Sequence, residues 1–172
     1  MPIDPDQALS AEPTTRDIAW TSRDVLLYHL SLGAGRHADR DPELRWTFER
    51  DLQVLPTFAM VAGQGPSAGD RPPAGLSLPG ADIDLRRILH AGQALEVHRP
   101  LPTSGTATVT SRVAEVWDKG KAAVVVLETS AAAPDGEPLW TTRMQLWARG
   151  EGGFGGVPRP CLLYTSPSPR DS

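Results

Sequence analysis

Cysteine is all but missing: one residue in 172, Cys161 near the C-terminus. A single thiol excludes an internal disulfide and any cysteine-rich zinc site. Histidines paired at metal-ligand spacing are lacking too, so no metal site is expected. No apolar run approaches the roughly 18 residues that a membrane-spanning helix needs. The Met1–Pro13 stretch is acidic and proline-containing, without the apolar centre of a secretory leader, so a cytoplasmic location is expected. There is no excess of positive charge. The formal net charge of −4 argues against nucleic-acid and anionic-membrane partners, both of which call for a basic surface. A local basic site for an anionic ligand is compatible with it. A G-x-S-x-G nucleophile elbow and internal repeats are also absent.

What is present is a chain of single-domain length, 40% hydrophobic, broken by 16 glycines and 17 prolines. A short helical turn at Asp4–Leu9 precedes a strand at Asp17–Thr21. Thr21-Ser22-Arg23-Asp24 opens a helix in the manner of a capping box. Val25 to Leu32 is apolar nearly all round, which predicts a buried helix ended by Gly33-Ala34-Gly35. Leu44 to Glu49 alternates like a strand. Leu55 to Ala62, with Pro56 in its first turn, predicts a helix of about two turns. Gly63 to Gly80 reads as a loop. In the second half Thr106–Trp117 and Trp140–Ala148 alternate, Ala122–Thr129 reads as a valine-rich strand and Leu95–Pro102 as a short strand with a proline-bounded end, with tight turns at Asp118-Lys119-Gly120-Lys121 and Asp135-Gly136. The expected class is α+β: an antiparallel meander packed on a short helix.

Two motifs have alternative readings. Gly150-Glu151-Gly152-Gly153-Phe154-Gly155 has the G-x-G-x-x-G spacing, but Val157-Pro158-Arg159-Pro160 cannot open the helix that a dinucleotide site requires. It reads as a flexible glycine linker. His37 to Pro42 clusters a histidine with two aspartates in a charged loop without an apolar wall to exclude water, and reads as a solvated turn. His29 reads as a core or interface histidine and His98 as a surface one. These residues form no complete catalytic set.

Four segments together carry a resemblance: Leu52 to Ala59, Ile88 to Pro102, Val116 to Lys121 and Gly150 to Gly156. In this order the chain resembles, over about residues 3–157, the N-terminal half of MaoC-like (R)-specific enoyl-CoA hydratases of the hydratase 2 type, as in peroxisomal multifunctional enzyme type 2. The resemblance implies a hot-dog fold, an antiparallel sheet wrapped around a short helix. It implies water addition to a trans-2-enoyl-CoA, giving the (3R)-hydroxyacyl-CoA in fatty acid metabolism, without a cofactor beyond the CoA thioester substrate. The family's catalytic Asp-x-Asn-Pro-x-His-x-Asp-Pro motif lies in the other half and does not occur here, so no catalytic residue is assigned. For this half the resemblance implies substrate binding by His90, Ala91 and Lys119. The short helix would leave an apolar trough for the acyl chain, with Phe58, Met60 and Val61 as candidate walls.

The expected layout is a lead-in at 1–16, a hot-dog domain at 17–149, a Gly/Pro-rich linker at 150–160 and a non-native tail at 161–172. The tail, Cys161 to Asp171, resembles a translated transposase sequencing adapter; the alternative reading is a natural disordered tail. The implied partners are the acyl-CoA, the absent C-terminal hot-dog half and, in the intact parent, a second copy in a homodimer. The alternatives are a stand-alone acyl-CoA or lipid-binding hot-dog module and an acyl-CoA thioesterase. A thioesterase needs a carboxylate on the central helix, and Leu55 to Ala62 has none.

Overall fold

A computed structural model describes residues 3–36, 43–65, 83 and 85–155. The clusters at His37–Pro42, most of the Gly63–Gly80 loop and the tail after Gly155 lie outside the described residues. Five strands form one antiparallel sheet: β1 (Thr14–Trp20), β2 (Ile88–Val97), β3 (Gly105–Asp118), β4 (Ala122–Ala132) and β5 (Pro138–Arg149). The order across the sheet is β1-β3-β4-β5-β2, so β1 and β2 are its edges. Among the described residues three α-helices accompany it: α1 (Pro5–Ser10), α2 (Ser22–Ser31) and α3 (Leu44–Thr47). A 3-10 helix spans Pro56–Met60. This is the expected α+β, helix-backed hot-dog sheet.

The meander forms because its side chains alternate with period two and its turns are short. On one face, called inner here, Val109, Ala131 and Trp140 stand in register, and so do Val125 and Leu146. The inner face carries two apolar clusters. The first joins Ile18, Trp20, Val109, Ala131 and Trp140 to Val25 of α2 and Phe58 of the 3-10 helix. The second joins Val113, Ala123, Val125, Leu146 and Ala148 to Ile3 and Ala8 beside α1. Between them lie the half-buried hydroxyls Ser111, Thr129 and Thr142, with Ser111 Oγ 3.0 Å from Thr129 Oγ1. The floor of the expected apolar trough is therefore hydroxyl-bearing at its middle.

Several local expectations change. α2 starts at the predicted capping box, with the Thr21 N–H donating to Asp24 Oδ2 at 2.9 Å. It is not buried all round: Val25 and His29 are enclosed, whereas Leu27, Leu30 and Leu32 are about half exposed. A helix lying on a sheet covers only one stripe, and apolar composition alone cannot say which. The segment expected as a strand at Leu44–Glu49 begins as the one-turn α3, and only Phe48 at its end is extended. Leu55–Ala62 tightens to a 3-10 helix. The strand expected at Leu95–Pro102 is instead Ile88–Val97, because Pro100 and Pro102 cannot donate to a ladder.

Candidate functional site

The three substrate-binding candidates sit at the end of the sheet where β2 begins, β5 ends and β3 turns into β4. Asp118 pairs with Ala123, Ala123 with Ala148 and Ala148 with Ile88, which fixes that row. Leu89-His90-Ala91 is part of edge strand β2. His90 pairs with Leu146 and Gly92 with Gln145, leaving Ala91 as the extra residue of a β-bulge. A bulge bends the strand and leaves backbone groups out of the ladder. His90 lies on the inner face at this edge, exposed, with Nε2 3.1 Å from Gln93 Oε1.

Lys119 heads the β3–β4 turn. Its N–H donates to Ala122 O at 2.8 Å. Its Nζ stands 5.8 Å from the centroid of the Trp117 ring, a cation–π arrangement. Trp117 pairs with Val124 and Val124 with Trp147, a row on the outer face. Lys119 and His90 thus share an end of the sheet but lean to opposite faces, across three strand spacings or about 14 Å. Within this chain the structure does not bring them into contact.

The acyl-wall candidates lie toward the opposite end. Phe58 is almost fully buried, its ring edge-on to Trp20 at 6.5 Å and to Tyr28 at 5.7 Å. It is a core residue. Met60 and Val61 are half-buried, and Val61 packs against the same cluster. His29 is enclosed here and used on both nitrogens: Nδ1 donates to Trp46 O at 2.8 Å and Nε2 accepts the Leu55 N–H at 3.2 Å. It ties α2 to the segment that leads into the 3-10 helix.

Two constellations were not found from the sequence. Asp118 accepts N–H donors from Gly120 (2.7 Å) and Gly153 (2.9 Å) on Oδ1 and from Gly155 (2.7 Å) on Oδ2. The Gly153 N–H first, then those of Gly120 and Gly155, hold its carboxyl below the usual carboxylate range. The segment read as a flexible linker is therefore fastened over 150–155. The second constellation is on the outer face. Glu128 accepts from Arg112 Nη2 at 2.6 Å and Arg143 Nε at 2.8 Å, and Arg143 also reaches Glu115 at 3.4 Å. Burial pushes the Glu128 carboxyl up, but the two arginines outweigh it and hold it low. A cavity of about 330 Å³ borders this network, lined by Ala94, Leu95, Glu96, Glu128, Thr141 and Arg143. None of the substrate-binding or acyl-wall candidates lines it. Alternating Arg and Glu on successive strands was a legible signal for this network.

Among the described residues no three His, Cys, Asp or Glu side chains are placed to hold a metal ion. His98 Nδ1 lies 3.8 Å from Glu96 Oε1, on the surface. No helix among the described residues is long and apolar enough to cross a membrane.

Comparison with known proteins places this geometry. Enoyl-CoA hydratase ChsH3 of Mycobacterium tuberculosis is 47% identical over 160 residues, covering 93% of this chain and 55% of the relative. The peroxisomal enoyl-CoA hydratase 2 of Arabidopsis thaliana is 37% identical, covering 91% of this chain and 50% of the relative. The chain thus spans about half the length of these relatives. The crystal structure of a MaoC-like dehydratase from Phytophthora capsici superposes with a TM-score of 0.75 at 24% identity, covering 92% of this chain and 54% of that one, which shows the shared fold. Residues 19–150 match the model of the MFE-2 hydratase 2 N-terminal domain. With that match running from the end of β1 to the end of β5, the chain belongs to the MFE-2 hydratase 2 N-terminal domain family.

Proposed function

We propose that this chain is the substrate-binding, non-catalytic N-terminal half of an (R)-specific enoyl-CoA hydratase, which adds water to a trans-2-enoyl-CoA to give the (3R)-hydroxyacyl-CoA. The observation that carries the reading is the family match over residues 19–150. Relatives named as enoyl-CoA hydratases support it. Hydration needs a base to take a proton from water and an acid to protonate the α-carbon. Three polar groups among the described residues are engaged otherwise: His29 bridges backbone, Asp118 gathers amides and Glu128 holds arginines. We assign the acid and base to the missing half, and the reaction needs no cofactor beyond the thioester itself.

In this reading the CoA handle meets the β3–β4 turn and the Ala91 bulge, while the acyl chain lies toward Met60 and Val61. Lys119 supplies a point charge for a phosphate, and the bulge supplies backbone groups outside the ladder. The exposed apolar residues Leu27, Leu30, Leu44 and Phe48 and the position of β2 at the edge of the sheet support further association, with a C-terminal hot-dog half and a second copy in a homodimer. The compartment belongs to the same proposal: cytoplasmic, with the peroxisome of the Arabidopsis relative's name as the outcome that a localisation experiment would set against it.

The test is kinetic, in the full-length protein. Lys119→Ala is expected to weaken substrate binding by about 0.5–2 kcal/mol, seen in KM rather than kcat, since the handle is held alike in ground and transition states. The loss should shrink in high salt. Lys121→Ala removes the same charge two positions on and serves as control. Equal effects of both changes, or an unchanged KM for Lys119→Ala at low salt, would remove Lys119 from the site.

A further inference from the structure

The glycine run after β5 has the spacing of a phosphate cradle, but its anion is already built in. Gly153 and Gly155 have left-handed φ of 90° and 81°. Such residues turn successive N–H groups into a concavity that holds an anion. Here the occupant is the buried Asp118 side chain, which accepts from both of these amides and from Gly120 of the adjacent turn. One carboxylate thus joins the hairpin that carries Lys119 to a segment 35 positions further along the chain.

The surrounding contacts leave that segment little freedom. A Cβ on Gly152 would overlap the carbonyl oxygen of Ala122. The Gly150 N–H donates to Lys121 O at 2.9 Å, and Glu151 O accepts the Ile3 N–H at 3.3 Å. Phe154 packs on the second apolar cluster. A phosphate entering the concavity would meet the Asp118 charge, so like-charge repulsion excludes an external anion while the aspartate is in place.

We propose that Asp118 is a positioning residue, fixing both the turn that presents Lys119 and the path of the chain beyond β5. The part concerning Lys119 rests on the acyl-CoA reading above; the part concerning the path beyond β5 does not. Asparagine at this position offers one acceptor oxygen and sets an NH2 group against an N–H donor; alanine offers no acceptor at all.

Amide exchange in the 172-residue chain tests the path. In Asp118→Ala the amides of Gly120, Gly153 and Gly155 should exchange about tenfold faster or more, with Asp118→Asn intermediate and the β4–β5 ladder unchanged. Wild-type exchange at Gly153 and Gly155 in these variants would overturn the proposal. If Asp118→Ala fails to fold, Asp118→Asn is read at the same sites with the same criterion. Kinetics in the full-length protein test the Lys119 part. Asp118→Asn should raise KM with kcat kept, as Lys119→Ala does, and the double change should add little. If Lys119→Ala raises KM and Asp118→Asn speeds exchange without raising it, Asp118 does not position Lys119. If neither touches KM, the acyl-CoA reading of Lys119 falls, while the exchange result still decides the path. Inorganic phosphate should leave the Gly153 and Gly155 amides unshifted in wild type; saturable shifts would show that the cradle is open to anions and overturn the built-in occupant.

Discussion

At the Ala131 end of β4 the sheet is closed by rings packed edge to face; at the Ala122 end it is closed by peptide N–H groups gathered on one carboxylate. The first end runs Trp140, Trp20, Phe58, Tyr28 with centroid separations of 5.7–6.5 Å. Its strength comes from removing large apolar surface from water and is indifferent to pH. The second end is fastened by charge-assisted hydrogen bonds, which are directional and depend on ionisation. The first suits a fixed scaffold. The second suits a place where the chain must turn sharply, present a lysine and leave in a set direction.

The largest effect expected from breaking this contrast is at Phe58. Phe58→Ala should cost about 3–5 kcal/mol in denaturant unfolding, with an unchanged slope, because two aromatic neighbours lose their packing partner. A loss below about 1 kcal/mol would show that Phe58 lines an open trough instead. His29→Leu comes next, at about 2–4 kcal/mol, since it takes the partner from the half-buried Trp46 carbonyl and the half-buried Leu55 N–H together. A His29→Gln change that recovers part of this loss would confirm that the hydrogen bonds, not the ring volume, matter.

The smallest effect, but the one that separates the two ends, is the pH dependence of Asp118→Asn. A carboxyl held low in the folded state contributes stability above its unfolded pKa of about 3.9 and loses it as pH falls through the folded value. The stability gap between wild type and Asp118→Asn should therefore be full near neutrality and narrow below about pH 4. The gap for Phe58→Ala should not follow this course. A pH-independent Asp118→Asn gap would mean that shape, not charge, fastens the turn.

The meander was legible because period-two alternation is flanked by Asp118-Lys119-Gly120-Lys121 and Asp135-Gly136, residues with few other uses at those spacings. All three strands extend one to three residues beyond the alternating stretches at one or both ends. Leu44 to Glu49 misled because six residues of alternation fit a strand and a single helical turn alike. The leucines of α2 misled because apolar character does not say which stripe a sheet will cover. Phe58 was rightly a wall candidate by type, but the sequence could not show that Trp20 and Tyr28 enclose it. The Asp118 clasp was hidden for another reason. Its acceptor and two of its donors are far apart in the chain, and its donors are backbone groups, which every residue but proline carries.

The strand order also bears on how the chain assembles. β3, β4 and β5 pair through neighbours in sequence, so their loops close at small entropic cost. Ile18 meets Ala107 only after a loop of roughly ninety residues has closed. The topology therefore implies that the meander forms the nucleus, and that β1, carrying α2 with it, docks late. In rate measurements, truncation at Val125 should slow folding, whereas truncation at Ile18 should chiefly speed unfolding.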